Sequence, residues 1–191
     1  MLPEKKWVFH LIVQKRMPSH IIKHSLMVRK VAAVIACSCV VNGCEVNPRL
    51  VETAALLHDI SKMDSITDGG DHSLMGKHLL ESLGYPHIGD VIGQHVRLNE
   101  LILSEAMIVN YADKRVMHDK IVSLERRFVD LMDRYGKDDA RMERILKMYE
   151  KAVSTEKMIV EASKIDPEWL NNFNSLSCIA FQSFLKTVNG C

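Results

Sequence analysis

Hydrophobic side chains recur at intervals of three and four residues along most of the chain, a spacing typical of α-helices with one buried face. The longest such pattern runs from Ile22 to Val40 and is followed by Asn42-Gly43, a common helix end. No segment alternates convincingly between hydrophobic and polar residues, and no repeat or low-complexity run is present. The pattern therefore predicts an all-α fold.

Proline, glycine and small polar residues mark the predicted helix boundaries. The first helix runs from Glu4 to about Lys15 and ends before Pro18, and Ser19 is a candidate cap for the long second helix. Later helices are expected to start at Asn47-Pro48, Asp71, Pro86, Ser104 and Asp166-Pro167.

The third predicted helix has an unusual ending. Its apolar run from Ala54 to Leu57 leads directly into His58-Asp59, and the pattern extends the helix to about Met63 before a polar loop over residues 64–70. An apolar segment has no packing reason to end on two adjacent side chains of metal-ligating type. This doublet indicates a functional site.

The last third of the chain is more polar and predicts amphipathic helices. Two of these helices occupy about residues 120–164, and a short terminal pair contains Trp169, Ile179 and Phe184. Such helices either cover the core or bind a second copy of the chain, and the sequence leaves both arrangements open.

Length and composition narrow the class of protein. The 191 residues suit one domain spanning 1–191, and 47% hydrophobic with 26% charged residues is ordinary for a globular chain. A net charge of +1 is too small to attract nucleic acid or an anionic membrane at long range. The apolar run from Val31 to Val41 is shorter than a membrane-spanning helix requires. The N-terminus lacks the features of a signal peptide. We therefore expect a cytoplasmic protein.

The five cysteines form no CxxC pair and are odd in number, which favours reduced, mostly buried thiols. Other side chains supply the candidate chemistry. Imidazole and carboxylate together suit Fe, Mn, Co, Ni and Zn, whereas Mg²⁺ normally binds carboxylates and water. Four histidines and two aspartates would suffice for two ions, and in chain order they are His24, His58, Asp59, His72, His95 and Asp113.

Three motifs resemble those of the HD superfamily of metal-dependent phosphohydrolases, and the resemblance covers about residues 20–118. They are His24-Ser25-Leu26-Met27-Val28, Leu56-Leu57-His58-Asp59-Ile60-Ser61-Lys62 and Tyr111-Ala112-Asp113-Lys114. His72, in His72-Ser73-Leu74-Met75-Gly76, and His95 resemble the additional histidines of the dinuclear subset. The resemblance implies a helical HD core over about 19–118 and a C-terminal helical extension over about 119–191.

The same resemblance implies roles for the six side chains. One metal ion would be surrounded by His24, His58, Asp59 and Asp113, and Asp59 would bridge to a second ion held by His72 and His95. Iron or manganese is the first expectation, with Zn, Ni, Co or Mg open. A water between two such ions is acidified enough to attack a phosphorus atom. The expected substrate is a small phosphorylated molecule, first of all a nucleotide.

Three cations are candidates for contacting the phosphate. Lys62 follows His58 by four residues, so it lies one turn further along the same face if the helix continues. Arg97 and Arg115 are weaker candidates for this role, because each is equally well explained as an exposed charge.

Several look-alike residues are set aside. His20 precedes His24 by four residues but lacks the adjacent glutamate of an HExxH site, and His118-Asp119 lacks an apolar lead-in. Gly84-Tyr85-Pro86 spells the tripeptide of cyclic di-GMP phosphodiesterases of the HD-GYP type, but it precedes His95 rather than following it. His10, His78 and His87 are expected at the surface.

Two rival functions stay open. In a single-metal 5′-nucleotidase or dNTP hydrolase, His72 and His95 would contact phosphate or donate a proton. In a nucleotide-binding regulatory module, the six metal-ligating residues would be present but the bound nucleotide would hardly be hydrolysed.

Overall fold

The structure, a computed structural model, describes residues 2–172. Within this range, helices pack around one hydrophobic core, and the two strands are only two residues long each. The all-α prediction is confirmed. The elements are α1 (Lys5–Gln14), α2 (Ser19–Val41), α3 (Pro48–Leu57), α4 (Lys62–Asp68), α5 (His72–Ser82), α6 (Pro86–Ile92), α7 (Glu105–Lys114), β1 (Val116–Met117), β2 (Lys120–Ile121), α8 (Leu124–Tyr135), α9 (Asp139–Ser163) and α10 (Pro167–Asn172).

Helix α2 is the centre of the fold, and α3, α7 and α9 pack against it. By length and composition α2 could cross a membrane. In the fold many of its apolar side chains, among them Val28, Val31 and Ile35, are instead fully buried by the neighbouring helices, although Leu26 and Val41 remain exposed. The helix ends as predicted at Asn42-Gly43, where Gly43 adopts a φ of +82° that favours glycine.

Local capping sets the starts of several helices. Side chains predicted as N-caps accept a hydrogen bond from a backbone N–H two or three residues on, which satisfies a donor that the helix leaves unpaired. These caps are Asn47 for α3, Asp71 for α5 and Ser104 for α7. Pro18, rather than Ser19, occupies the capping position of α2.

The third predicted helix ends earlier than its pattern indicates. Helix α3 stops at Leu57, residues 58–61 form a turn, and α4 begins at Lys62 within the stretch assigned to the end of α3 and a loop. The N–H groups of Ile60 and Lys62 bond to carbonyls only three residues back, so the helical register breaks at the doublet. Lys62 therefore reaches the site from a new helix, not from one turn further along α3.

A tight hairpin follows α7. The predicted helical segment over 106–116 ends at Lys114, and Val116–Met117 pairs antiparallel with Lys120–Ile121. His118 lies at the turn with a φ of 58°. Two-residue strands are too short to show an alternating pattern, which is why the sequence did not predict them.

Arg115 is completely buried, which corrects its assignment as an exposed charge or a phosphate contact. All five of its N–H donors have acceptors, so none is left for a substrate. The side chain instead joins α9 and α10 to the core. Its acceptors are the carbonyl oxygens of Val122 and Pro167, the Tyr111 hydroxyl, the Glu156 carboxylate and the Asn171 amide oxygen.

The C-terminal helices contribute to the same core. Ile145, Ala152 and Ile159 of α9 and Leu170 of α10 are buried against it. Cys37 and Cys39 are buried reduced thiols, in line with prediction, and Cys44 is partly buried. The predicted positions of Ile179 and Phe184, and the thiols Cys178 and Cys191, lie outside the described residues.

Candidate metal centre

The six predicted ligands come from distant parts of the chain and meet in one place. They lie on α2, in the turn after α3, at the start of α5, just after α6, and on α7. Their ligand atoms form two groups, in each of which all atoms lie within 4.8 Å of one another. The first group is His24, His58 and Asp113, and the second is Asp59, His72 and His95.

Three of the four histidines are oriented by backbone carbonyl groups. The Nδ1 atoms of His24, His58 and His95 lie 2.8, 2.8 and 2.7 Å from carbonyl oxygens. A carbonyl can only accept, so each Nδ1 carries the proton and donates it. The Nε2 atoms are thereby turned toward the centre, which is how metal-binding histidines are commonly held.

The first group contains a buried nitrogen without a partner. His58 is fully buried, and its Nε2 has no hydrogen bond among the described residues. It lies 3.6 Å from both Asp113 Oδ1 and Asp59 Oδ2, while His24 Nε2 lies 3.0 Å from Asp113 Oδ1. A buried, unpaired polar atom costs about 1–3 kcal/mol. A divalent cation among these atoms would satisfy it.

The second group brings two imidazole nitrogens into contact. His72 Nε2 lies 3.0 Å from His95 Nε2 and 3.2 Å from Asp59 Oδ1. Two facing lone pairs repel, so this arrangement requires a proton or a cation. The two oxygens of Asp59 face different groups: Oδ2 lies near His58, and Oδ1 lies near His72 and His95.

The electrostatics keep both carboxylates ionised. Burial opposes their charge, but the surrounding histidines hold the pKa of Asp59 and Asp113 well below the usual range. Burial also opposes charge on His58, yet the two carboxylates outweigh it and raise its pKa to about 9. Burial and the charge of His58 lower the pKa of His95 to about 3. The donor set thus combines anionic carboxylates with imidazoles, and a divalent ion that binds there would displace the proton of His58.

His95 lies outside any helix and is held by two residues that the sequence did not indicate. Asn110 Nδ2 donates to the carbonyl oxygens of Gln94 and His95, each at 2.9 Å. Lys114 Nζ donates to the His95 carbonyl at 3.2 Å and to Asn110 Oδ1 at 2.8 Å. Burial lowers the pKa of Lys114 to about 8. Lys114 closes the Tyr111-Ala112-Asp113-Lys114 motif, but Asn110 has no signal beyond its i,i+4 spacing from Lys114, which is common in any helix.

A cleft of about 430 Å³ opens onto the centre and includes His24, Asp59 and Lys62 in its lining. Lys62 Nζ lies 3.2 Å from His72 Nε2 and 3.8 Å from Asp59 Oδ1. Three further cations line this cleft, namely Lys23, Arg127 and Arg134. The two arginines belong to α8, where the sequence predicted an amphipathic helix and no site residue. Asp130 pairs with both of them.

The remaining candidates lie outside the two groups. Arg97 is exposed and lines a different cleft. The other five histidines are exposed, as expected, and they are His10, His20, His78, His87 and His118. The His118 carbonyl nevertheless has a role, because it accepts the hydrogen bond that orients His24.

Comparison with known proteins adds family information. Residues 21–138 match the family model of the HD domain, and this range includes all six candidate ligands. The chain is 28% identical over 153 residues to an uncharacterized protein of Methanocaldococcus jannaschii, an alignment covering 71% of this chain and 89% of that protein. It is also similar to the crystal structure of a predicted HD superfamily hydrolase from an uncultured Thermotogales bacterium. That similarity has 23% identity and a TM-score of 0.47, and it covers 87% of this chain and 94% of the other.

Proposed function

The chain belongs to the HD domain family, and we propose that it hydrolyses a phosphoester or phosphoanhydride bond of a small molecule with the help of divalent metal. One observation carries the proposal. Four imidazoles and two carboxylates converge in two groups, and Asp59 presents one oxygen to each group.

These distances support two ligand sets. His24, His58 and Asp113 would hold one ion with Asp59 Oδ2, and His72 and His95 would hold a second with Asp59 Oδ1. Iron or manganese fits the mixture of imidazole and carboxylate first, and Zn, Ni, Co or Mg stay open. When bound, two such ions lower the pKa of a water and neutralise charge on phosphoryl oxygens.

Lys62 is the proposed phosphate contact. Its ammonium group lies next to Asp59 and His72, and its side chain is 38% exposed, so a substrate can reach it from the cleft. Lys23, Arg127 and Arg134 would attract further phosphate charge toward the entrance. Arg115 has no part in this role, because all its donors are engaged in the core.

The cleft also supports a nucleotide as the substrate. Tyr135 and Ile66 line it and are 55% and 68% exposed, which leaves aromatic and apolar surface for a base near the cations. Pockets of several hundred Å³ with a few convergent polar groups are typical of small-molecule sites. We therefore expect a nucleotide phosphodiester or phosphoanhydride to react.

The test is metal analysis followed by a substrate screen. Anaerobically purified protein is assayed for bound ions and then given dinucleoside polyphosphates, cyclic dinucleotides, and nucleoside mono- and triphosphates. We expect about two ions per chain and turnover that is lost in Asp59→Asn. Asp119→Asn is the matched control, because Asp119 is an exposed carboxylate of the same cleft outside both groups. Metal-loaded protein without turnover on any of these substrates would contradict the proposal.

One observation favours a single-metal alternative. Lys62 Nζ lies within hydrogen-bond distance of His72 Nε2, and an ammonium group there could take the place of a second ion. His72→Ala separates the two cases. A loss of one bound ion supports the two-metal site, whereas an unchanged count near one ion per chain supports a single-metal nucleotidase. Tight nucleotide binding without product would instead indicate a regulatory module.

A further inference from the structure

A second cleft, of about 540 Å³, is lined by the residues that directly follow His95. One wall is the irregular stretch over residues 96–101, and the other is α9. Asn110 and Lys114 of α7 also line it, and they are the pair that holds the His95 carbonyl. The lining residues of this cleft are all different from those of the cleft over the metal centre.

The second cleft is positively charged although the chain is nearly neutral. Two acidic residues line it, Glu100 and Glu150, against five basic ones. The basic residues are Arg97, Lys114, Arg144, Lys147 and Lys151.

Most of this charge is not neutralised locally. Lys147 pairs with Glu143, and Lys114 donates to acceptors on α7 and at His95. In the part of the chain that the structure describes, Arg97, Arg144 and Lys151 have neither an ion pair nor a side-chain hydrogen bond. An anion entering the cleft would therefore find three cations with donors to spare.

Helix periodicity explains how these cations come to share a face. Arg144, Lys147 and Lys151 follow one another at intervals of three and four residues, so they align along one side of α9. The next residue on that side, Thr155, also lines the cleft and is buried. Arg97 approaches from the opposite wall.

The cleft also offers apolar surface between its charges. Leu98, Leu101 and Met148 line it, and Leu101 is 45% exposed. A bare inorganic anion would leave this surface uncovered, whereas an amphipathic ligand would cover it.

We propose that this cleft binds a small organic anion, with an apolar body against Leu98, Leu101 and Met148 and a phosphate or carboxylate group between Arg97, Arg144 and Lys151. The proposal does not depend on the metal centre or on its activity. It gives the chain a second ligand site next to the backbone that positions His95.

Isothermal titration calorimetry on the full chain tests the site with two probes, adenosine monophosphate for a phosphate head group and decanoate for a carboxylate. Hydrogen exchange then locates the bound probe. We expect at least one probe to bind and to protect residues 96–101 and the facing part of α9. Arg144→Glu/Lys151→Glu should weaken this binding about tenfold at 0.15 M salt, because two attractive charges become repulsive.

The matched control is Lys6→Glu/Lys157→Glu, which makes the same change in net charge at two exposed lysines away from the cleft. It should bind like the wild type and give the same protection of residues 96–101. Circular dichroism verifies that each variant is folded. The proposal is overturned if neither probe protects residues 96–101, or if both double variants bind equally well.

Discussion

Hydrogen bonds from α7 to the backbone around His95 predict that a residue outside the metal centre controls the affinity for the second metal ion. His95 lies after the end of α6, and its backbone N–H still donates to the Ile92 carbonyl. Its own carbonyl oxygen and that of Gln94 accept from Asn110 of α7. The substitution Asn110→Ala removes both hydrogen bonds, and it also removes an acceptor of Lys114.

The expected magnitude follows from these contacts. Each hydrogen bond contributes about 1 kcal/mol net, so the free energy that holds the His95 segment in place falls by about 2 kcal/mol. Since about 1.4 kcal/mol corresponds to a factor of ten, affinity for the ion at His72 and His95 should fall roughly 30-fold. This lies within the roughly 10–100-fold range that is usual when a residue supporting a metal ligand is lost. The ion at His24, His58 and Asp113 should be affected much less.

Competition with a chelator, read by elemental analysis, measures the two affinities separately. Asn42→Ala is the matched control. Asn42 Nδ2 also donates to two carbonyl oxygens, those of Ser38 and Ser163, but far from the metal centre. We expect this control to keep both affinities.

The reasoning is refuted if Asn110→Ala binds the second ion as tightly as the wild type does while remaining folded. It is also refuted if both ions are lost in parallel with stability in Asn110→Ala and in Asn42→Ala, since the effect would then be one of general unfolding.

Three further predictions concern stability, substrate binding and pH. Arg115→Met should lower the free energy of unfolding by about 3–5 kcal/mol, because it removes the ion-pair partner of Glu156, whose carboxylate keeps only the Tyr111 hydroxyl, and the hydrogen bonds to Val122 and Pro167. A urea titration showing a loss under about 1 kcal/mol would contradict this. Lys62→Ala should raise KM about tenfold or more for the substrate found in the screen, and Lys62→Arg should recover part of this loss because it keeps the positive charge. An unchanged KM in steady-state assays would show that Lys62 does not contact the phosphate. Burial opposes a charge on His58, but Asp59 and Asp113 raise its pKa from 6.5 to about 9. In metal-free protein the charged imidazole therefore stabilises the fold fully below pH 6.5, and this stabilisation is lost as the pH rises through about 9. Thermal melts of chelator-treated wild type and His58→Gln should therefore converge between these values, and a constant difference would count against the assignment.

Local signals in the chain determined most of the helices and the types of the candidate ligands. The spacing of apolar residues predicted the all-α fold, and Asn47, Asp71 and Ser104 cap the helices as expected. Such features depend on hydrogen bonds within a few residues, so sequence is enough to predict them. The order of the His and Asp residues likewise indicated a metal site before any distance was known.

Only the tertiary structure decided which side chains face that site. Arg115 and Arg127 look equivalent in sequence, yet Arg115 is buried against α9 and α10, whereas Arg127 lines the cleft. The helical break at His58-Asp59 redirects Lys62 into the centre, and Asn110 acquires its role because α7 packs beside the loop of His95. Proximity between distant segments arises from packing, and it leaves no periodic signal in the chain.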